Sequence, residues 1–277
     1  MSISIKILDS GDKVKLGADD NKGAPRPMEA AGDGLVYLAT RDMTYEEGDR
    51  IVVETDAPGQ YVAAKLDESL GESIIYLKGT RWEYTLPLAA GLKDIRSDAA
   101  FRGKEHYLYV RTPRAFELDA TRNLTYNPHD LKEENGAYPH AHANVETRNE
   151  AQFFARNAID GVYANNRHGT YPYQSWGINQ QADAELTIDF GREVEVTALE
   201  VTLRCDFPHD SYWTKGTVTF SDGSKETLSF EKTLAPQFFT VNPRRVTWFA
   251  FGELIKAEDG SPFPALTQIA AFGRDLL

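Results

Sequence analysis

Two polar, proline-containing segments in the second half of the chain concentrate aromatic, basic and acidic side chains. The segments run from Asn165 to Tyr173 and from Arg204 to Lys215. Aromatic faces stack on the apolar side of a sugar ring, and planar polar groups hydrogen-bond its hydroxyls. Nine residues are therefore candidate ligand-binding residues: Arg167, His168, Tyr171, Tyr173, Arg204, His209, Asp210, Tyr212 and Trp213.

The second segment offers distinct roles within a sugar site. Trp213 is predicted to stack on a ring face, and His209 to hydrogen-bond a hydroxyl. Asp210 and Arg204 would hold further hydroxyls through charge-assisted hydrogen bonds. In the alternative interpretation, Tyr212 and Trp213 cover the edge of a sheet and Asp210 caps a turn. The sequence leaves both interpretations open.

Metal binding is a second kind of chemistry that the histidines allow. His140 and His142 form a His-x-His pair, and on a strand both imidazoles would point to the same side. His129 or Glu146 could supply a third ligand, and solvated surface histidines are the alternative interpretation. The single cysteine, Cys205, excludes an internal disulfide and a cysteine-based zinc site.

The sequence contains no local signature of catalysis. It lacks His-Glu-x-x-His, a phosphate-binding glycine loop, a dinucleotide fingerprint and a Gly-x-Ser-x-Gly elbow. A glycoside hydrolase or lyase stays open, because a local motif does not mark the carboxylates of these enzymes. Glu46-Glu47 and Asp67-Glu68 are acidic pairs of that type, but in a chain with 42 acidic residues a solvated surface is the simpler interpretation.

The net charge of -12 restricts the classes of partner. Nucleic acids and anionic membranes are repelled by the average field of such a chain, whereas a neutral sugar is not. The longest apolar stretches fall far short of the ~20 residues of a membrane span. The start at Met1 lacks a secretion signal, which predicts a cytoplasmic protein if this start is native and an extracellular one otherwise.

Short strand-like segments, separated by turn residues, recur along the chain and must position these side chains. Apolar residues alternate from Ile3 to Ile7 and from Leu186 to Phe190. Helical periodicity is scarce, which predicts a helix content below ~15%. In the first half, strands are predicted near Leu35–Ala39, Arg50–Thr55, Gln60–Leu66, Ser73–Lys78, Trp82–Leu86 and His106–Arg111.

At 277 residues, the length favours two domains of ~150 residues. The alternation disappears between about Thr112 and Asn149, where the chain is polar and carries Pro and Gly. This pattern predicts an N-terminal domain over residues 1–120, a linker over 121–137 and a C-terminal domain over 138–277.

An ordered series of motifs in the second half resembles a known family. The series consists of Ala155–Gly161, Trp176, Leu186–Gly191, the strand from Val194, Arg244–Val246 and the closing strand Thr267–Gly273. It resembles the discoidin or coagulation-factor type C family of galactose-binding-domain-like sandwiches, which includes many bacterial carbohydrate-binding modules. The resemblance covers roughly Tyr138 to Leu277.

The resemblance implies a β-sandwich, a carbohydrate ligand and, in many members, a structural calcium ion. Asp160 would supply a carboxylate to that ion, and the loop ending at Thr170 would supply carbonyls and a hydroxyl. Gln268 stands where the family usually has an acidic ligand, so one negative charge is missing. Trp176 is expected to fill the core of the sandwich, with stacking on a ligand as the alternative.

Together these observations predict an all-β protein of two β-sandwich, jelly-roll-like domains, the second galactose-binding-like. The expected function is non-catalytic recognition of carbohydrate through loops of the second sandwich. The alternatives are a carbohydrate-active enzyme with its cleft between the domains and a purely structural second domain. No cofactor other than calcium, no nucleic acid and no membrane partner is expected.

Overall fold

The protein is nearly all β, as its alternating sequence predicts. The computed structural model describes residues 1–19 and 23–276. Strands make up 46% and helices 7% of the structure, which confirms the predicted all-β class. In the part of the chain that is described, no helix is both long and apolar enough to cross a membrane.

The chain divides into two compact units. The first contains residues Met1–Arg114 and Asn135–Ala137, and the second contains Ala115–Glu134 and Tyr138–Leu277. The strands are β1 Ser2–Leu8, β2 Leu16–Gly17, β3 Arg26–Pro27, β4 Glu29–Asp33, β5 Leu35–Thr40, β6 Arg50–Thr55, β7 Gln60–Lys65, β8 Ser73–Leu77, β9 Arg81–Thr85, β10 His106–Arg111, β11 Arg122–Asn123, β12 Ala137–Tyr138, β13 His140–Ala143, β14 Trp176–Gly177, β15 Leu186–Leu203, β16 Trp213–Phe220, β17 Lys225–Ser229, β18 Gln237–Lys256 and β19 Ala265–Asp275. The helix α1 spans Ala115–Asp119, and short 3-10 turns cover Lys93–Ile95, Thr147–Asn149, Ala151–Phe153 and Ala155–Ile159.

The first unit contains two larger antiparallel sheets and the two-stranded sheet β2-β3. The strand orders of the larger sheets are β4-β1-β6-β9 and β12-β8-β7-β10-β5. Ile3, Ile5 and Ile7 alternate along β1 and are at most 1% exposed, because successive side chains of a strand point to opposite faces. All six strands predicted in this half are present, with ends that differ from the prediction by at most one residue.

Long, bent strands form the second unit. Strand β15 has 18 residues and β18 has 20, and β15 pairs with β18 on one side and with β19 on the other. The pairing of β15 with β18 shifts register after Asp189, where Gly191 has a φ of 70°. Apolar residues from both sides of this bend, such as Ile188 and Val201, are fully buried in one core. Residues on both sides of the register shift therefore contribute to the same core.

The segment predicted as a linker, 121–137, is packed for most of its length. Strand β11 pairs with β19, Leu124 is 1% exposed, and the Thr125 hydroxyl donates to the Ile269 carbonyl at 2.9 Å. Asp130, 3% exposed, accepts hydrogen bonds from the β13 segment. The polar composition suggested a linker, but these polar groups satisfy buried backbone groups of the second unit instead.

The bend at Gly191 yields a prediction about stability. A Cβ at Gly191 would overlap the Tyr138 ring, whereas Gly223 has a φ of 83° and open space around it. Gly223→Ala measures the cost of the left-handed backbone alone, ~1–2 kcal/mol. We expect Gly191→Ala to lower the free energy of unfolding by a further ~1–3 kcal/mol, because it also overpacks the core. Urea unfolding of both variants measures the difference, and equal losses would contradict this role of the bend.

A second prediction concerns the buried pair His140–Asp130, whose Nδ1 and Oδ1 are 2.8 Å apart. Burial alone would lower the pKa of His140, but the hydrogen bond and charge of Asp130 outweigh it and raise the pKa above 6.5. A raised histidine pKa contributes stability that is complete below pH ~6.5 and is lost as the pH rises through the folded-state value.

Asp130→Asn should therefore destabilise the protein more at pH 5.5 than at pH 9, by ~1.5–3 kcal/mol at the lower pH. The measurement is urea unfolding at both pH values. Asp119→Asn, at an exposed ion pair with Arg274, is the control and should show no such pH dependence. A loss that is larger at pH 9 would show that the charged form of His140 is not the stabilising one.

Candidate functional site

A cavity of about 360 Å³ opens among the loops of the second unit. We call it the loop cavity. Its lining comes from five separate parts of the chain, and consists of Thr147, Arg148, Phe153, His168, Gly177, Ile178, Asn179, Gln180, Arg204, His209, Asp210, Phe263 and Pro264. Its volume lies in the range of ~300–1,000 Å³ that is typical of small-molecule sites.

Asn165 joins the two segments that the sequence singled out. It is 7% exposed, and its side-chain amide donates to the carbonyls of Leu203 and Leu234, both at 2.9 Å. Its own carbonyl accepts the Cys205 N–H at 2.7 Å. Because buried backbone groups must be paired, these contacts fix the loop after Asn165 beside the loop after Arg204.

A tight turn brings two carboxylates of the second segment together. The Asp206 carbonyl accepts the His209 N–H at 2.8 Å and the Asp210 N–H at 3.0 Å. These two hydrogen bonds fold the chain back, so that Asp210 returns to the side of Asp206. Asp206 and Asp210 therefore both face His168, whose Nδ1 lies 2.5 Å from Asp206 Oδ2 and 3.9 Å from Asp210 Oδ2.

Arg204 lies below this turn as a buried counter-charge. Its Nη2 donates to Asp210 Oδ1 at 2.6 Å and to the Phe263 carbonyl at 2.7 Å. The side chains of Arg204 and Asp210 are 5% and 4% exposed. Burial lowers the pKa of Arg204 and raises that of Asp210, and in each case the partner's charge opposes the shift. The pair compensates two charges that would otherwise be costly to bury.

Two polar atoms at this pair have no hydrogen-bond partner among the described residues. Asp210 Oδ2 and Arg204 Nε are buried, and neither makes a hydrogen bond within residues 1–19 and 23–276. Such atoms cost ~1–3 kcal/mol each if nothing else pairs with them. One is an acceptor and one is a donor, and both belong to residues that line the loop cavity.

Apolar side chains form the other wall of the loop cavity. Phe263 is 48% exposed, and Ile178 and Phe153 are almost buried. The Arg148 guanidinium lies over the Phe153 ring, 5.5 Å from its centroid. The exposed Phe263 ring is therefore an aromatic face available to a ligand beside the charged cluster.

Strained backbone surrounds the same wall. Arg148, Asn179 and Gln180 have φ values of 52°, 49° and 60°, in the left-handed region that is costly for residues other than glycine. All three line the loop cavity. Strain of this kind is retained where the surrounding structure enforces it, and it often occurs at functional sites.

The structure brings together four of the nine ligand-binding residues expected from the sequence. His168, Arg204, His209 and Asp210 all line the loop cavity. Of the other five, Arg167 and Tyr171 are exposed elsewhere on the same loop, and the remaining three are Tyr173, Tyr212 and Trp213.

Trp213 requires a correction, because the structure buries it. It is 1% exposed, and its ring packs against Trp176 at 6.3 Å and Phe251 at 6.0 Å between centroids. Tyr212 is half-buried against the same core. An indole sealed in the core has no free face for a sugar ring, so the expected stacking role of Trp213 is withdrawn. The alternative interpretation of the sequence, in which both residues cover the sandwich, agrees with this burial.

Two important residues of the site were not among those candidates. Asp206 lies within the second segment, but only the folded turn shows that it contacts His168. Phe263 lies far along the chain, in the sequence Ser261-Pro-Phe-Pro264. A phenylalanine between two prolines in a polar loop cannot enter a helix and is hard to bury, and this was the signal that could have indicated it.

The expected calcium ligands do not fit a calcium ion. The Asp160 carboxylate accepts hydrogen bonds from the amides of Gln174 and Gln268, both at 2.8 Å, and pairs with Arg156 at 3.5 Å. Gln268 presents its NH₂ group to Asp160, because its oxygen accepts the Gly161 N–H at 3.0 Å. Cation ligands must offer oxygen lone pairs, so the donors around Asp160 occupy the place of an ion.

The rest of the Asp160 cluster agrees with this conclusion. Burial raises the pKa of Asp160, with Arg156 as the main opposing charge. Thr170, the third expected ligand, is exposed, and Asp160 Oδ1 also accepts the Val162 backbone N–H at 2.9 Å. The residues form a compact hydrogen-bonded cluster under the loops rather than a calcium site.

The His-x-His pair does not form a metal cluster either. His140 and His142 stack with their ring centroids 5.9 Å apart. The His140 Nδ1 atom is hydrogen-bonded to Asp130 Oδ1. Within residues 1–19 and 23–276, the one group of three ligating side chains with converging atoms is His168, Asp206 and Asp210.

The fold and the site define a class: an all-β chain whose second unit is a sandwich with a small cavity built by its loops. No protein-family model matches the sequence, and no curated protein sequence matches it.

The solved structures to which the chain is similar include carbohydrate-binding modules and a lectin domain. The family 32 module of C. perfringens NanJ in complex with galactose is 20% identical, with a TM-score of 0.37, over 48% of this chain and 91% of that chain. A fucose-binding module of Streptococcus pneumoniae is 12% identical, with a TM-score of 0.40, over 56% of this chain and 98% of that chain.

A histidine mutant of the lectin binding domain of Lectinolysin, complexed with Lewis b, is 13% identical, with a TM-score of 0.42. The match covers 56% of this chain and 97% of that chain. Similarities at this level assign neither a ligand nor an activity to this chain.

The Asp160 cluster yields a prediction about calcium. We expect the melting temperature of the wild-type protein to be the same in CaCl₂ and in EDTA. Gln268→Glu should destabilise the protein by ~3–5 kcal/mol, because it removes a donor and faces one buried carboxylate with another. Calcium should raise the melting temperature of this variant alone. Gln181→Glu, at a partly exposed position, is the control, and a calcium-dependent rise in the wild type would contradict the assignment.

Proposed function

We propose that the second unit binds carbohydrate in the loop cavity without chemically changing it. The observation that carries this proposal is the juxtaposition of the exposed Phe263 ring with unpaired polar atoms of Arg204 and Asp210. A sugar ring has an apolar C–H face and an edge of hydroxyls, so it can contact both at once.

The polar side of the cavity matches the chemistry of hydroxyl groups. A hydroxyl both donates and accepts a hydrogen bond. Asp210 Oδ2 can accept from a hydroxyl, and Arg204 Nε can donate to one. His168 is held at Nδ1 by Asp206, which leaves its Nε2 for a ligand.

The charge of the cluster favours a neutral ligand. Arg204 pairs with Asp210, and His168 contacts Asp206, so the cluster offers no excess of basic groups to an anionic ligand. The chain as a whole carries a charge of -12, so an anionic polysaccharide would be repelled from most of its surface. A neutral glycan is not repelled by this charge.

Hydrolysis of a glycan is the alternative that one observation favours. Asp206 and Asp210 present oxygens within 4.8 Å of one another, and paired carboxylates are the machinery of glycoside hydrolases. However, Asp210 is engaged by Arg204 and Asp206 by His168, which makes both carboxylates better suited to orienting a ligand.

A glycan array screened with the full chain, followed by calorimetry on each neutral oligosaccharide that binds, tests the proposal. We expect Phe263→Ala to weaken binding by about tenfold to a hundredfold, from a lost contact worth ~1–3 kcal/mol. His168→Ala should also weaken binding. Phe238→Ala is the matched control, since Phe238 is 60% exposed on β18 and does not line the loop cavity.

The outcomes separate the candidate functions. Binding that Phe263→Ala and His168→Ala leave unchanged would place the ligand elsewhere. Release of reducing sugar from a bound glycan, abolished in Asp210→Asn, would replace the binding function with hydrolysis. If the chain binds no glycan on the array, the proposed carbohydrate-binding function is wrong.

A further inference from the structure

Three metal-ligating side chains lie close together at the polar wall of the loop cavity, and two of them, His168 and Asp210, line it. His168, Asp206 and Asp210 each offer one ligating atom, and these three atoms lie within 4.8 Å of one another. Imidazole nitrogen and carboxylate oxygen are the usual ligands of divalent transition ions.

A second, independent observation points to a ligand at this cluster. Asp210 is 4% exposed and lines the cavity, and its Oδ2 has no hydrogen-bond partner in the described chain. The other oxygen, Oδ1, is held by Arg204 at 2.6 Å. The carboxylate is thus fixed by one oxygen, while the second faces His168 at 3.9 Å without a donor of its own.

From this cluster we propose that His168 Nδ1, Asp206 Oδ2 and Asp210 Oδ2 bind one zinc ion. Zinc binding here does not require the proposed sugar function, although both concern the same cavity. Three protein ligands leave a fourth position of a tetrahedral zinc ion open. Here that position faces the loop cavity, where water or a hydroxyl of a ligand would complete the coordination.

The distances allow the ion with small movements of the side chains. Ligand atoms of a tetrahedral zinc ion with bonds of ~2.0–2.1 Å lie ~3.3 Å apart. The His168 Nδ1 atom is 2.5 Å from one carboxylate oxygen and 3.9 Å from the other, on either side of that value. Entry of the ion replaces the His168–Asp206 hydrogen bond with two coordination bonds.

The surroundings supply access and support for the ligands. The His168 side chain is 49% exposed, so an ion can reach the cluster from solvent. Arg204 orients Asp210 from behind, as outer partners orient the ligands of known metal sites. The imidazole ligand and the presence of only two carboxylates favour zinc over calcium, which prefers six to eight oxygens.

The test uses the untagged full chain, stripped of metal with EDTA and dialysed. Competition with a chromophoric zinc chelator at about pH 7.5 should give one bound zinc ion per chain, and calcium should not compete. His168→Gln and Asp206→Asn should each weaken zinc binding by at least about a hundredfold. His209→Ala is the matched control, because His209 lines the same cavity outside the cluster.

A second measurement distinguishes variants that lose zinc binding from variants that fail to fold. Zinc should raise the melting temperature of the wild type and of His209→Ala, but not that of His168→Gln. Circular dichroism before zinc is added must show that each variant retains the wild-type strand signal. Absence of stoichiometric zinc binding, or binding that persists unchanged in His168→Gln, would overturn the inference.

Glycan binding measured with zinc and with EDTA distinguishes the zinc site from the proposed function. Glycan binding in a chain that takes up no zinc would end the zinc inference and leave the sugar function standing. Zinc binding by a chain that binds no glycan would support the zinc inference and end the proposed sugar function. Glycan binding that increases with zinc supports both and places the sugar at the open position of the ion.

Discussion

The loop cavity depends on one buried ion pair, Arg204–Asp210. Removing two charges from water costs several kcal/mol per ion, and only close pairing with further hydrogen bonds offsets that cost. Arg204 meets this requirement by bonding Asp210 and the Phe263 carbonyl at once. The same guanidinium therefore fixes the turn that carries the carboxylates and the loop that carries the exposed aromatic ring. The polar and apolar walls lie together because one buried charge must be satisfied.

The core beneath the loops holds this arrangement in place. Trp213 follows Asp210 by three residues and is sealed against Trp176 and Phe251. A large aromatic side chain buried at the start of β16 anchors the C-terminal end of the loop. Asn165 anchors the other loop through carbonyls of distant segments. Rigid attachment at both ends allows a small set of side chains to keep a ligand-sized space open between them.

Asp160 and Asp210 illustrate two solutions to the burial of a carboxylate. Asp160 Oδ1 accepts from Gln268 and from the Val162 N–H. Its Oδ2 accepts from Gln174 and pairs with Arg156. Asp210 has one oxygen paired with Arg204, and the other has no hydrogen-bond partner in the described chain and lies 3.9 Å from His168 Nδ1. Burial raises the pKa of both carboxyls. The first is a structural cluster, and the second is open to a ligand, so the unpaired oxygen separates the two roles.

Strands such as Arg50–Thr55 and His106–Arg111 were predictable from sequence, because alternation depends only on neighbours along the chain. The density of polar and aromatic residues in two loops also indicated four residues of the cavity. Tertiary structure alone decided that Trp213 is core, that Gln268 turns its amide to Asp160, and that Phe263 and His168 line one cavity. Exposure and hydrogen-bond partners depend on strands and loops that are distant in sequence, and no local pattern encodes which of these meet.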